Sequence, residues 1–266
     1  MKAYKIKTLI FDMDDTLVVE EASAEAAFRR VSQFAKEKAG IDPEGLYDSI
    51  RKSCRSIWYG SPVHPYCLNV GISSWEGLWA EFKGSDGNLQ ILSDWAPTYR
   101  RESWRQAILN CGHRASDELA TELADKFVQE RRKLHIVYDD VVPVLDKLKD
   151  RYKFGLLTNG APDLQRRKLK GSGLTDYFDK VIISGEVGFG KPDPRIFELA
   201  LERLGSTAGS SVMIGNSLKS DIIPAIEIGM TAVWVNRKRQ TIDKPITPEL
   251  TISDLSELIK IFHGTD

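Results

Sequence analysis

Two aspartates separated by one residue follow the first apolar segment of the chain. The segment runs from Lys7 to Phe11, and Asp12 and Asp14 come directly after it. If the backbone stays extended, these two side chains point the same way and share one small space. Crowded carboxylates repel each other, so they need a cation, or one of them must hold a proton. The pair is therefore a candidate nucleophile beside a general acid, with a cation site or a solvated turn as the alternatives.

A second apolar run, FGLL, is followed by a hydroxyl, an amide and a glycine at Thr158, Asn159 and Gly160. A helix is expected to start just beyond Pro162. Backbone N–H groups near a helix N-terminus, beside a hydroxyl, can hold an anion. The segment is therefore a candidate anion-binding loop, although an ordinary strand-to-helix turn uses the same residue types.

One lysine stands between a glycine and a proline just before another predicted helix. It is Lys191, in the segment GFGKPDP, where rigid neighbours fix the direction of the side chain. A fixed ammonium can neutralise both the Asp12 carboxylate and a phosphoryl oxygen, and such preorganised charge contributes to transition-state binding. An exposed lysine in a turn is the alternative.

Two further oxygen-bearing side chains, Asn216 and Asp221, follow the apolar run VMIG. Oxygen ligands at the end of a strand suit a hard divalent cation, and Mg²⁺ prefers octahedral oxygen coordination with few carboxylates and several waters. The same residues would also suit a helix N-cap followed by an acid in the first turn.

Strands alternate with helices after about Ile136, which predicts a parallel sheet with helices on both faces. The expected strands are FGLLT, KVIIS, VMIG and TAVWV, and the expected helices are Val142 to Lys149, PDLQRRKLKGSG, PRIFELALERLG, SDIIPAIEIG and ISDLSELIKIF. The segment from Lys7 to Phe11 adds a strand, and its unbroken apolar run indicates burial on both faces. Open sheets of this kind bind their ligands at the carboxyl ends of the strands, where all four motifs lie.

The pattern differs from about Ala22 to Leu134. Long helical stretches flank a middle part that is predicted to be rich in loops, and Gly40 stands where a helix C-cap belongs. The segment is therefore an insertion after the first strand. We predict an α/β fold with a Rossmann-like core at residues 1–20 and 136–266 and an inserted α-helical cap domain at residues 21–135, which can act as a lid.

The composition is that of an ordinary globular enzyme, with 42% apolar and 28% charged residues and a net charge of -1 over 266 residues. No global field favours nucleic acid or an anionic membrane, and basic triplets at 131–133, 166–168 and 237–239 indicate solvated helix faces or loops. Cys54, Cys67 and Cys111 lack the spacing of a disulfide framework or a zinc site. The opening apolar run is too short for a signal peptide or a membrane span, so we expect a cytoplasmic protein.

Taken together, the motifs DMDDT, TNG, GKPDP and GNSLKSD resemble, in order and across the whole chain, those of the haloacid dehalogenase (HAD) superfamily. Within it, the sequence is similar to the phosphatase-like branch with a helical cap inserted after the first strand. The resemblance implies a Mg²⁺-dependent hydrolase of a small phosphorylated metabolite. Asp12 would attack phosphorus to form an aspartyl phosphate, while Asp14 would protonate the leaving oxygen and later deprotonate water.

The resemblance also implies two sets of ligands. The phosphoryl oxygens would be held by Thr158, Asn159, Gly160 and Lys191. The Mg²⁺ ion would be held by the Asp12 carboxylate, the Asp14 main-chain carbonyl, Asn216 and Asp221. In this family the position of Asn216 is commonly aspartate, so a neutral carbonyl replaces a carboxylate and weaker metal binding is expected.

Three other functions remain open for the same fold. A 2-haloacid dehalogenase would attack carbon without a metal, but a leaving halide needs no general acid, and Asp14 argues against it. A phosphomutase would share the aspartyl phosphate and pass the phosphoryl group to a sugar. A non-catalytic phosphate-binding regulator would keep the fold without turnover, and Asn216 is the feature that favours it. The phosphate ester and the oligomeric state are not readable from the sequence.

Aromatic residues are concentrated in the predicted cap. They are Trp58, Tyr59, Trp75, Trp79, Trp95 and Trp104. Such side chains could stack on a substrate, but the tryptophans of a small helical unit are more often its core. The histidines at positions 64, 113 and 135 are expected to serve packing or to lie on the surface, since no spacing links them into a metal site.

Overall fold

The structure is a computed structural model that describes residues 6–241 and 248–263. Residues 1–5, part of the segment argued not to be a signal peptide, and the last three residues of the predicted core lie outside the described residues. The chain forms two compact units. The first, called the core unit, comprises Met1–Val19, Ile136–Asn159 and Lys168–Asp266; the second, called the helical unit, comprises Glu20–His135 and Gly160–Arg167.

The boundary of the two units differs from the predicted one at residues 160–167, which were expected in the core. Two apolar residues explain the difference. Ala161 and Leu164 belong to the buried hydrophobic cluster of the helical unit, together with residues such as Phe82 and Leu89. Burial of these side chains therefore assigns the segment to the helical unit.

A six-stranded parallel sheet forms the centre of the core unit, with strand order β3-β2-β1-β4-β5-β6. The strands are β1 Thr8–Phe11, β2 Lys153–Thr158, β3 Lys180–Ile183, β4 Ser211–Gly215, β5 Thr231–Val235 and β6 Leu250–Ile252. The five predicted strands are confirmed. The three-residue β6 was not predicted, because it is short and only one of its residues is buried.

Helices occupy most of the remaining chain. They are α1 Glu21–Ala39, α2 Pro43–Trp58, α3 His64–Val70, α4 Ser74–Gly77, α5 Gly87–Asn110, α6 Asp117–Arg131, α7 Val141–Leu148, α8 Pro162–Gly171, α9 Ser184–Val187, α10 Pro194–Leu204, α11 Ile223–Glu227 and α12 Glu257–His263. A π-helical turn at Leu218–Ile222 leads into α11, where the sequence predicted one continuous helix. Among the described residues, no helix combines the length and the apolar character needed to cross a bilayer.

The central strand β1 is buried on both faces, as its apolar run predicted. Leu9 and Phe11 pack into a cluster that includes apolar residues of α7 and α12. Ile10 packs on the opposite side with residues of α10 and α11. The strand is therefore rigidly enclosed, and it delivers the residue after Phe11 to the carboxyl edge of the sheet.

The prediction of a loop-rich middle in the helical unit is confirmed in part. Residues 59–63, 71–73 and 78–86 lie outside helices, whereas most of the predicted loop SPVHPYCLNVG forms α3. Asp42 and Asp86 cap the N-termini of α2 and α5 with their carboxylates. The long helix α5 continues through Pro97, which normally disfavours a helix interior, because burial of its apolar face outweighs the local preference.

The tryptophans form the core of the helical unit, as predicted. Trp58, Trp79 and Trp104 are buried, and Trp75 and Trp95 pack against the same cluster. Tyr59 is different, since it is 63% exposed and does not belong to that core.

The basic triplets are not purely solvated, and this part of the prediction was wrong. One member of each is largely or fully buried: Arg131, Lys168 and Arg237. Arg131 pairs with Glu20 at 2.7 Å and lies over the Trp79 ring. Buried charges require such partners, and residue type alone does not show which member of a triplet will find them.

Candidate active site

The Asp12 carboxylate lies at the end of β1 and is buried. Its main-chain N–H donates to the Ile214 carbonyl at 2.9 Å, which continues the pairing with β4 by one residue. Thr16 donates its hydroxyl to Asp12 Oδ2 at 3.0 Å, and Lys191 donates from Nζ to Asp12 Oδ1 at 2.6 Å. Each oxygen of the carboxylate thus has a donor that fixes its orientation.

The ammonium of Lys191 bridges two buried carboxylates. It donates to Asp12 Oδ1 and to Asp221 Oδ1, both at 2.6 Å, and only 3% of its side chain is exposed. The other oxygen of Asp221 accepts the Ser217 N–H at 2.9 Å. Gly215 permits this approach, because a Cβ there would lie 2.4 Å from Asp221 Oδ2. The predicted residues Asp12, Lys191 and Asp221 are therefore in direct contact.

Asn159 holds the main chain of Lys191. Its side-chain amide donates to the Lys191 carbonyl at 2.7 Å, and its amide oxygen accepts the Lys191 N–H at 2.8 Å. Gly190 makes room for this contact, since a Cβ at that position would lie 2.7 Å from Asn159 Oδ1. The side chain of Asn159 therefore positions the lysine.

The second aspartate has an ammonium of its own. Lys168, on α8, donates from Nζ to both oxygens of Asp14, at 2.9 and 3.0 Å. Asp14 is 28% exposed, whereas the Lys168 side chain is 3% exposed. The two aspartates, expected to crowd one small space, are thus held by different lysines.

Burial disfavours both of the charges at the centre of the site, those of Asp12 and Lys191. It raises the pKa of Asp12 to about 7, with Lys191 opposing the rise and the charges of Asp221 and Asp14 adding to it. Burial also opposes the charge on Lys191, but the carboxylates of Asp12 and Asp221 outweigh it and raise the pKa of the lysine. One ammonium therefore serves two buried carboxylates, and the cluster favours a further cation or a proton on Asp12.

Two of the remaining predicted residues, Thr158 and Asn216, lie at the ends of central strands. Thr158 ends β2, and its hydroxyl makes a long hydrogen bond of 3.4 Å to the Asn159 carbonyl. The Gly160 N–H, within the helical unit, donates to the Val70 carbonyl at 3.2 Å. Asn216 follows β4 directly, and its main-chain carbonyl accepts the Trp234 indole N–H at 2.9 Å.

Two residues of this site, Thr16 and Lys168, were missed by the sequence analysis. Thr16 is the last residue of DMDDT and could have been found from its place in that motif. Lys168 was predicted to be solvated as part of a basic triplet. Its burial depends on how α8 packs, which the sequence does not show.

Most of the chain matches known proteins of one family. A family model described as a haloacid dehalogenase-like hydrolase matches residues 6–229. A phosphoserine phosphatase of Thermus thermophilus is 36% identical over 254 residues, which cover 95% of this chain and 98% of that protein. The chain belongs to the haloacid dehalogenase-like hydrolase family.

Two solved structures share the fold described above. The crystal structure of a HAD phosphatase from Thermococcus onnurineus is 31% identical, with a TM-score of 0.60, and the match covers 97% of this chain and 99% of that one. A 2-haloacid dehalogenase from Pseudomonas syringae has a TM-score of 0.62, at 24% identity, and covers 97% of this chain and 98% of that one. The second likeness concerns the fold alone.

Proposed function

We propose that this HAD-like hydrolase is a Mg²⁺-dependent phosphomonoester hydrolase that acts on a small phosphorylated metabolite through an aspartyl phosphate on Asp12. The contact that carries the proposal is the buried Asp12 carboxylate, held by Thr16 and Lys191, with a second carboxylate two residues away at Asp14. A nucleophile beside a separate acid is the arrangement that phosphate ester hydrolysis needs. A dehalogenase would have no use for Asp14 as an acid.

The proposed reaction has two steps, and every bond and proton is accounted for in each. In the first, an oxygen of Asp12 forms a bond to phosphorus, the bond from phosphorus to the ester oxygen breaks, and Asp14 gives its proton to that oxygen. In the second, Asp14 takes a proton from water, the water oxygen bonds to phosphorus, and the bond to Asp12 breaks. Asp12 is restored, and alcohol and phosphate are the products.

The groups proposed to hold the phosphoryl oxygens are the Thr158 hydroxyl, the main-chain amides of Asn159 and Gly160, and the Lys191 ammonium. The contact of Lys191 Nζ with Asp12 Oδ1, at 2.6 Å, supports this role for the lysine. The Gly160 amide would have to exchange its bond to the Val70 carbonyl for one to phosphate. Preorganised donors of this kind stabilise the charge that spreads over the equatorial oxygens in the transition state.

The donor set suits Mg²⁺. The proposed ligand atoms are all oxygens: those of the Asp12 and Asp221 carboxylates, the Asn216 side-chain amide and the Asp14 main-chain carbonyl. The two buried carboxylates share one ammonium, that of Lys191. Mg²⁺ prefers oxygen ligands with few carboxylates and several waters, and this donor set fits that preference. When bound, the ion would supply positive charge that screens Asp12 from an anionic substrate.

The relative from Thermus thermophilus makes O-phosphoserine the first natural ester to test. We assign substrate selection to the helical unit, as its predicted cap role implies, because the residues proposed for the two chemical steps belong to the core unit. The cysteines at positions 54, 67 and 111 are free thiols, which supports the proposed cytoplasmic location.

The proposed function is tested with p-nitrophenyl phosphate in the presence of Mg²⁺ or EDTA. We expect turnover with Mg²⁺ and a loss of at least roughly 100-fold in EDTA, since a metal contributes several kcal/mol of charge stabilisation. Excess Mg²⁺ added after EDTA is the control and should restore the rate. Hydrolysis at the same rate in EDTA would contradict the proposal. Release of chloride from chloroacetate, with no hydrolysis of O-phosphoserine or p-nitrophenyl phosphate, would also contradict it.

A further inference from the structure

Lys168 is a buried cation that the sequence placed on a solvated face. On the same helix, Arg167 is 36% exposed and Lys170 lies on the surface, whereas Lys168 is 3% exposed. Its neighbour Leu169 packs into the apolar cluster beneath β1. Burying an ammonium in such surroundings is unfavourable unless a charged partner receives it, so packing alone does not explain a lysine here.

The partner that receives the ammonium is the carboxylate of Asp14. Lys168 Nζ lies 2.9 Å from one oxygen of Asp14 and 3.0 Å from the other, so the carboxyl group cannot rotate without losing a charge-assisted hydrogen bond. Asp12, in contrast, is held by Lys191 and Thr16. Each of the two carboxylates thus has a separate means of orientation.

An ammonium has donors and no acceptor, and this determines what it can do to a protonated carboxyl group. A protonated carboxyl keeps one acceptor oxygen and gains one O–H donor. Lys168 can hold the acceptor oxygen only, so the O–H must point away from the lysine. The contact therefore sets where the proton of Asp14 can go as well as where its carboxyl group lies.

We propose that Lys168 is a positioning residue for the general acid Asp14: it fixes the carboxyl group so that its proton is directed to the leaving oxygen. This inference rests on the proposed phosphohydrolase function. It gives Lys168 a role distinct from that of Lys191, which touches the nucleophile.

The test compares two esters of nearly the same shape, p-nitrophenyl phosphate and phenyl phosphate. The nitrophenolate leaves readily without a proton, whereas phenolate depends more on the acid. The parameter is kcat/KM, which covers the steps up to departure of the leaving group. Because general acids contribute about 10²- to 10⁴-fold, we expect Lys168→Met to lose roughly 10- to 100-fold more with phenyl phosphate than with p-nitrophenyl phosphate.

Three comparisons make the result specific. Lys168→Arg keeps a donor cation and should recover part of the loss with phenyl phosphate, while Lys170→Met, on the exposed side of α8, should keep the wild-type ratio. For each variant, the kcat/KM values for the two esters are measured on the same preparation. The fraction of folded protein therefore cancels in their ratio. Lys168→Gln serves for the same ratio if the methionine variant does not fold.

The outcomes separate the two proposals. A larger loss with phenyl phosphate supports the positioning role. Equal losses with both esters, in an active wild-type background, would overturn the role of Lys168 and leave the phosphohydrolase function standing. A wild-type protein that hydrolyses neither ester with Mg²⁺ would overturn both.

Discussion

Asp12→Asn is expected to lower kcat/KM for p-nitrophenyl phosphate by roughly 10³-fold or more, because an amide replaces the carboxylate that we propose as the nucleophile. The variant keeps the shape of the side chain and an oxygen that can accept from Thr16 or Lys191. It also removes a buried negative charge beside Asp221, so it should fold. A loss of activity in this variant would therefore reflect the missing carboxylate and not misfolding.

The measurement is steady-state kinetics with Mg²⁺, accompanied by urea unfolding of the same samples. Asp139→Asn, an exposed aspartate of the core unit, is the control for the same chemical change and should behave like the wild type. A variant at position 12 that is folded and retains activity within about tenfold of the wild type would exclude Asp12 as the nucleophile.

Lys191→Met is the second substitution with a large expected effect, and it should reduce both activity and stability. Loss of a preorganised charge at a developing oxyanion lowers kcat by about 10²- to 10³-fold. The change also leaves the buried Asp12 and Asp221 carboxylates without their shared ammonium. Breaking a buried ion pair in this way destabilises a protein by about 3–5 kcal/mol.

Urea unfolding without added metal measures the stability part, and Lys219→Met, an exposed lysine of the fourth motif, is the control. The double variant Lys191→Met with Asp12→Asn should recover part of the lost stability, because one of the two uncompensated charges is gone. Unchanged stability of the single variant would show that Lys191 does not balance these carboxylates.

The predicted parts of the site are those fixed by strand ends. Asp12, Asp221 and Lys191 could be placed together because buried parallel strands bring their carboxyl ends to one edge, whatever the details of the helices. The exposed or buried state of Lys168 could not be read, because it depends on the rotation and packing of α8. The double hydrogen bond from Asn159 to the Lys191 main chain also depends on two loops that are distant in the sequence.

The same reasoning explains the errors in the helical unit. The segment SPVHPYCLNVG suggested a loop, because its proline, glycine and asparagine residues favour turns locally. Burial of Cys67 and Val70 outweighs that preference, and most of the segment forms α3. The burial of Arg131 on Trp79 is a similar case, since both partners must first be brought together by folding.

In the mechanism that we propose, Asp12 carries the phosphoryl group between the two chemical steps. The most direct test of this proposal is to quench the Mg²⁺-loaded protein with acid during turnover of a phosphate ester and to locate phosphorylated peptides by mass spectrometry. We predict one phosphoryl group on the peptide that contains Asp12 in the wild type and none in Asp12→Asn. Rapid hydrolysis with no phosphorylated peptide, or a phosphoryl group on another residue, would exclude Asp12 as the nucleophile.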